Sequence, residues 1–144
     1  MPSSSDQQRY TRLAQITKLN SRSQKCKPVP RTRLPEVLAR ITEIGKEYGL
    51  NIANVFHAGD GNLHPNILFD RQNQDELERV ERASREIMTL CVSVGGTITG
   101  EHGVGIDKRG YMPLVYNEVE LEMLRRARWV FDPGGNLNPG KVVQ

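Results

Sequence analysis

Three stretches of the chain repeat apolar residues at intervals of three and four, the spacing of one helix face. The first predicts a helix over residues 35–48, because Pro35 suits a first helical position and Gly49 supplies an end. The other two predict helices after Asn73 and after Asn117, each an asparagine cap with a glutamate three residues later. The repeating positions are Leu34, Val37, Leu38, Ile41, Ile44 and Tyr48; Leu77, Val80, Ser84, Ile87, Cys91 and Val94; and Leu121, Leu124, Ala127 and Phe131.

Two short runs between the first and second helices have strand character, residues 51–57 and 63–69. The turn-forming segment that joins them, residues 58–62, indicates a β-hairpin. A third short strand is predicted at residues 97–99. This order of elements fits an α+β fold, and we expect a ferredoxin-like antiparallel sheet with helices on one face.

The net charge of +3 is unevenly distributed. Residues 1–33 hold eight basic side chains and one acidic one, whereas the rest of the chain holds 12 basic and 16 acidic side chains. Residues 1–27 therefore read as a disordered basic leader, and residues 28–144 as one acidic folded domain. Charge offers no support for nucleic-acid binding, and a nucleic-acid binder that uses the leader is the weakest functional hypothesis.

Cys26 and Cys91 do not form a disulfide framework, and their settings favour two thiols in a reducing cytoplasm. The sequence has no apolar run long enough for a transmembrane segment and no signal-peptide core at its start. We therefore expect a cytoplasmic protein.

All three histidines fall inside two glycine-rich segments. The first segment is HAGDGNLHPN, residues 57–66. If the hairpin pairs His57 opposite His64, both imidazoles project from one face, which Asn66 shares because strand residues alternate sides. Two imidazoles at a hairpin mouth are half of a metal site. The alternative is a tight turn with incidental surface histidines.

The second segment is GEHGVG, residues 100–105. Glu101 could complete the metal site, and His102 could act as a base, since histidine titrates near neutral pH. The alternative is a glycine-rich loop with a solvated carboxylate. Arg125, Arg126 and Arg128 read as solvated helix residues.

These two motifs, followed by NLNPGK at residues 136–141, resemble the C-terminal domain of FAD-linked oxidases. That group includes the glycolate oxidase flavin subunit, D-lactate dehydrogenases and D-2-hydroxyglutarate dehydrogenase, within the vanillyl-alcohol oxidase superfamily. The similarity extends over residues 28–144, including residues 29–36 before the first helix. Three motifs in family order make the resemblance specific.

The resemblance implies a role for each matching residue. His57, His64 and Glu101 would bind a divalent metal, usually described as zinc, and His102 would be the catalytic base. Asn66 matches a substrate-contacting position. Asn138 and Lys141, in the tail that returns toward the flavin, are expected cofactor-binding residues.

The resemblance also implies that FAD is the cofactor and a small D-2-hydroxyacid the substrate. Nothing in residues 1–27 resembles the flavin-binding domain, so we expect that domain to be absent from this chain and supplied by a partner subunit or oxidase complex. The open alternatives are a fragment, a gene remnant, one half of a split enzyme, and a non-catalytic binding or assembly module. Homo-oligomer formation is a further open question.

Overall fold

The computed structural model describes the backbone of residues 20–23, and residues 28–57 and 59–143. Among these residues, three strands form one antiparallel sheet: β1 (Asn20–Ser23), β2 (Asn51–His57) and β3 (Asn62–Phe69). Strand β3 is central and pairs with both neighbours. The helix α1 (Leu34–Glu47) connects β1 to β2, and α2 (Gln74–Ser93) follows β3.

This element order is the first five elements of the ferredoxin-like pattern β-α-β-β-α-β. The predicted α+β class with an antiparallel sheet is confirmed. Strand β1 lies inside the leader that was predicted to be disordered, and its four residues instead cover the second edge of β3. An uncovered edge exposes backbone groups that need partners, which is a physical reason for this pairing. Residues 1–19 and 24–27 of the leader lie outside the described residues.

The predicted strand at residues 97–99 is wrong, because this segment has no regular structure. Ile98 is buried in the core, and the Thr99 hydroxyl donates a hydrogen bond to the Gly103 carbonyl over 2.8 Å. The segment is thus held in a closed loop by its own side chain instead of by a neighbouring strand.

Helices α1 and α2 pack against each other and contact β2 and β3, respectively. Most of their buried residues are ones that the helical periodicity singled out: Val37, Ile41, Ile44, Val80, Ser84, Ile87 and Cys91. Ala83 and Met88 are buried as well, although the periodicity did not include them. The Asn73 side chain caps α2 as predicted, by accepting the Glu76 backbone N–H. The Glu76 carboxylate does not reach back to the cap, since it accepts the N–H of Asp70.

The sheet has one apolar face and one polar face at its hairpin. The apolar face carries the alternate β3 residues Leu63, Pro65, Ile67 and Phe69, all of them buried. The intervening residues Asn62, His64 and Asn66 project to the opposite face, because successive side chains of a strand alternate. The core therefore lies on one side of the hairpin and the candidate chemistry on the other.

The last helix, α3 (Glu118–Phe131), lies beyond the sheet and begins with a complete capping box between Asn117 and Glu120. Leu121 is its one buried residue, whereas Phe131 is 83% exposed, although periodicity placed both on one seam. Hydrogen bonds from Arg126 and Arg125 lower the pKa of the half-buried Glu122 carboxyl. None of the helices in the described ranges has the length and apolar character to cross a membrane.

Arg128 was predicted to be solvated, and this prediction is wrong. Its guanidinium donates hydrogen bonds to four backbone carbonyls of the segment after α3, those of Leu137, Asn138, Lys141 and Val143. The five donors of a guanidinium suit such a set of acceptors. Arg128 therefore fixes the course of the C-terminal segment against α3.

Asp132 holds the start of the same segment. Its buried carboxylate accepts the backbone N–H groups of Asn136 and Leu137, each over 2.8 Å. We expect Asp132→Ala to lower the free energy of unfolding by about 2–3 kcal/mol, since hydrogen bonds to a charged acceptor contribute more than neutral ones. Urea titration measures this, with the exposed Asp107→Ala as the control. Equal midpoints for the two variants would contradict the prediction.

Candidate metal centre

The hairpin turn brings the first two predicted ligands onto one face. The His57 carbonyl accepts the N–H groups of Asp60 and Gly61, which closes a four-residue turn. His57 consequently pairs with Asn62, and His64 pairs with Val55. The predicted pairing of His57 with His64 is wrong by two residues, but the side-chain period of two leaves both imidazoles on the same face. Their ring centroids are 5.4 Å apart in an edge-on arrangement.

The loop that carries Glu101 is packed over this face by the segment Pro28–Val29. Val29 is buried and donates its N–H to the Gly61 carbonyl over 3.1 Å. A Cβ built on Gly100 would lie 3.2 Å from the Pro28 ring and 3.0 Å from the Asn62 side chain. A side chain at this position would crowd Pro28 and Asn62, so glycine favours this close approach of the loop to the hairpin, and the next residue, Glu101, lies beside the histidines.

The Glu101 carboxylate lies between two imidazoles. Its Oε1 atom is 3.1 Å from Nε2 of His64 and 3.1 Å from Nε2 of His102. The rings of His64 and His102 are themselves 5.8 Å apart. His64 is 9% exposed, whereas Glu101 and His102 face solvent. All three histidines and the glutamate thus form one cluster with a buried side and an open side.

Three members of this cluster have the geometry of a cation site. His57, His64 and Glu101 each offer one ligand atom, and these atoms lie within 4.8 Å of one another. Two imidazoles and one carboxylate make up the ligand set of several catalytic zinc sites, which keep a further position open for water or substrate. The residues therefore suit a divalent metal with an exchangeable ligand. His102 lies next to this set, at the open side.

Of the other predicted site residues, one lies on strand β3 near His64, and two lie in the C-terminal segment. Asn66 shares the face of His64, and its amide donates a hydrogen bond to the His64 carbonyl over 3.1 Å. Asn138 and Lys141 lie in the C-terminal segment, outside the three-residue cluster. That segment is tied to the glycine-rich loop, because the Val142 N–H bonds to the Gly105 carbonyl and Arg109 bonds to the Gly140 carbonyl.

Sequence reasoning missed the Pro28–Val29 segment as a part of the site. The Pro-Val-Pro sequence indicates a stiff, extended segment. The residues around it, however, do not indicate which surface of the fold this segment covers. It also missed the contact between Lys108 and the loop. Lys108 is buried, and its Nζ lies 3.4 Å from the Thr99 hydroxyl.

Residues 28–142 match the family of FAD linked oxidases, C-terminal domain. The chain belongs to this family. The matched range contains every predicted site residue and ends beyond the NLNPGK segment. The family resemblance drawn from the three motifs is therefore confirmed.

Individual curated proteins that are similar to this FAD-linked oxidase domain agree with the family match. The chain is 48% identical over 115 residues to the glycolate oxidase subunit GlcD of Escherichia coli strain K12, and this covers 80% of the chain and 23% of that protein. It is 42% identical to the GlcD subunit of Bacillus subtilis over 114 residues, 79% of the chain and 24% of the relative. It is 35% identical to a D-lactate dehydrogenase of Archaeoglobus fulgidus over 117 residues, 81% of the chain and 25% of the relative. The chain thus spans about a quarter of the length of these relatives.

Proposed function

We propose that this domain is the substrate- and metal-binding part of an FAD-dependent 2-hydroxyacid dehydrogenase. The enzyme would oxidise a small D-2-hydroxyacid to the corresponding 2-oxoacid. The observation that carries the proposal is the cluster of His57, His64 and Glu101 with His102 at its open side. The names of the relatives, glycolate oxidase and D-lactate dehydrogenase, support the substrate class.

In this proposal, His57, His64 and Glu101 hold a divalent metal, with zinc as the expected ion. When bound, the metal would polarise the substrate hydroxyl and carboxylate, and the flavin would be the acceptor of the hydride from C2. His102 removes the hydroxyl proton through its ring nitrogen as the C2–H bond breaks and the C–O bond becomes a carbonyl. Glu101 orients His102, because its Oε1 lies 3.1 Å from Nε2 of that imidazole.

Three further residues complete the proposed site. Asn66 contacts the substrate, an assignment supported by its place on the face of His64. Asn138 and Lys141 contact the FAD, on a segment whose backbone Arg128 holds in place. The flavin-binding domain is supplied by a partner subunit or by the remainder of a longer protein, and the complex works in the cytoplasm.

A second candidate function is a non-catalytic assembly module or truncated remnant that retains the fold. The exposed apolar residues of α3 favour it, since several large apolar side chains of this helix face solvent. Val119, Met123, Val130 and Phe131 are each at least 66% exposed. Such a surface also suits a contact with a flavin-binding domain or with a second copy of the chain. The surface therefore does not separate the dehydrogenase function from the assembly module, and a measurement of substrate binding is needed.

The test uses the cobalt-loaded chain, because Co²⁺ takes the place of zinc and absorbs visible light according to its ligands. Glycolate is expected to shift the cobalt spectrum in a saturable way, since its hydroxyl and carboxylate chelate the ion together. Acetate, which lacks the hydroxyl, is the matched control. It is expected to shift the spectrum only at concentrations at least about tenfold higher, because it loses the binding energy of the hydroxyl contact, and tenfold in affinity corresponds to about 1.4 kcal/mol. Equal responses to both acids would favour the assembly module.

A further inference from the structure

Asn62 carries a buried polar atom that the cluster does not account for. The residue is 5% exposed, and its Oδ1 has no hydrogen-bond partner among the described residues. A buried acceptor left without a donor costs about 1–3 kcal/mol, so such atoms are rare and call for an explanation. The only other side-chain atom of this kind in the described ranges is Oδ1 of Asn54.

The two asparagines differ in where they lie on the hairpin. Asn62 is directly opposite His57 and projects to the face that carries His64. Its Oδ1 is also the atom nearest to the position that a Cβ of Gly100 would occupy, and Gly100 directly precedes Glu101. Asn62 therefore adjoins both the strand pair and the loop that supply the candidate ligands. Asn54 lies opposite Pro65, on the apolar face.

A histidine that binds a metal through one ring nitrogen carries a hydrogen on the other, and this N–H needs an acceptor. The acceptor fixes the tautomer and the orientation of the ring. Side chains directly opposite each other in an antiparallel pair have Cβ atoms about 4.5–5.5 Å apart, which a carboxamide and an imidazole can bridge. The exposed His57 ring can turn toward such a partner, whereas Asn62 is held in place by its burial.

We propose that Asn62 is a positioning residue for the metal centre, and that its Oδ1 accepts the ring N–H of His57 on the side away from the metal. This inference rests on the proposed function of His57, His64 and Glu101 as metal ligands. The proposal gives the unpartnered Oδ1 of Asn62 a hydrogen-bond donor, the His57 ring, because the sheet register places His57 directly opposite Asn62. It also explains a polar side chain at a buried position where an apolar one would otherwise be more stable.

The experiment compares Asn62→Leu with Asn54→Leu in the full chain. Both substitutions replace a carboxamide whose Oδ1 lacks a partner by a side chain of similar shape, so the unfolding temperature of the metal-free protein is expected to stay close to that of wild type. Zinc affinity is measured by competition with a chromophoric chelator. Asn62→Leu is expected to weaken zinc binding about 10–100-fold, the usual effect of losing a partner of a metal-bound histidine. Asn54→Leu is expected to leave it unchanged.

Two further readouts separate positioning from a structural role. Asn62→Asp keeps the acceptor and is expected to restore zinc affinity to the wild-type value or above. The visible spectrum of the cobalt-loaded Asn62→Leu chain is expected to differ from wild type, while that of Asn62→Asp matches it. Zinc affinity of Asn62→Leu equal to that of wild type would overturn the inference and leave the ligand assignment intact. A wild-type chain that binds no zinc would instead refute the proposed function itself.

Discussion

The double substitution His57→Ala, His64→Ala is expected to abolish stoichiometric zinc binding. The two imidazoles are two of the three side chains whose ligand atoms lie within 4.8 Å of one another. Even residues behind the ligands contribute about 10–100-fold to metal affinity, so removal of two ligands should cost more than about 100-fold. Competition with a chromophoric chelator measures the loss.

The matched control for this experiment is His102→Ala. His102 is the third histidine of the cluster, and it contacts the Glu101 carboxylate but does not belong to the three-residue ligand set. Zinc affinity of this variant should fall by no more than about 10–100-fold, the usual effect of losing a partner of a ligand, and so by less than in the double variant. A loss as large as that of the double variant would show that the ligand set is different. Unchanged affinity in the double variant would refute the assignment of His57 and His64 as ligands.

Gly61→Ala is expected to be the most destabilising substitution in the hairpin turn. Gly61 has a φ of +74°, and a Cβ there would lie 2.2 Å from the carbonyl oxygen of Val29. The left-handed conformation costs an L-residue about 1–2 kcal/mol, and overpacking against a fixed backbone costs about 1–3 kcal/mol more. We expect the free energy of unfolding to fall by about 2–5 kcal/mol in a urea titration.

Gly59→Ala, two residues away, is the control for the same turn. A Cβ at Gly59 has no atom within 4 Å, so the effect should be below about 1 kcal/mol. Because Val29 joins the turn to the loop of Glu101, Gly61→Ala should also weaken zinc binding at temperatures where the chain remains folded. Equal stability of the two variants would contradict the role of the Pro28–Val29 segment.

Local patterns were sufficient to predict most of the elements. The helical period identified the core faces of α1 and α2, and the caps Asn73 and Asn117 are both observed. The association of His57, His64 and Glu101 was also predicted, because a hairpin holds two of them together and the family motif links the third. These features depend on a few neighbouring residues, or on motifs within the range that matches the family.

Contacts between distant segments were not predictable in this way. The strand β1 lies in a polar stretch whose composition indicates disorder, and it pairs with the edge of β3, a strand that is distant in the sequence. The four hydrogen bonds of Arg128 depend on where the C-terminal segment returns to α3. Residues 97–99 have β propensity, but their side chains and glycines form a loop. In each case the partner is set by the tertiary structure and leaves no periodic signal in the sequence.

The position of α3 has a consequence for assembly. Its apolar residues Val119, Met123, Val130 and Phe131 are exposed, and the chain spans about a quarter of the length of its relatives. An exposed apolar surface of this kind marks an interaction site. Association with a flavin-binding domain, as proposed above, would place that surface in an interface.

The most direct test of the metal centre is elemental analysis of the untagged chain after incubation with zinc and removal of unbound metal in chelator-free buffer. One equivalent of zinc per chain is expected, since His57, His64 and Glu101 form a single ligand set. A chain that retains no zinc, while circular dichroism shows it to be folded, would contradict the assignment of this cluster as a metal centre.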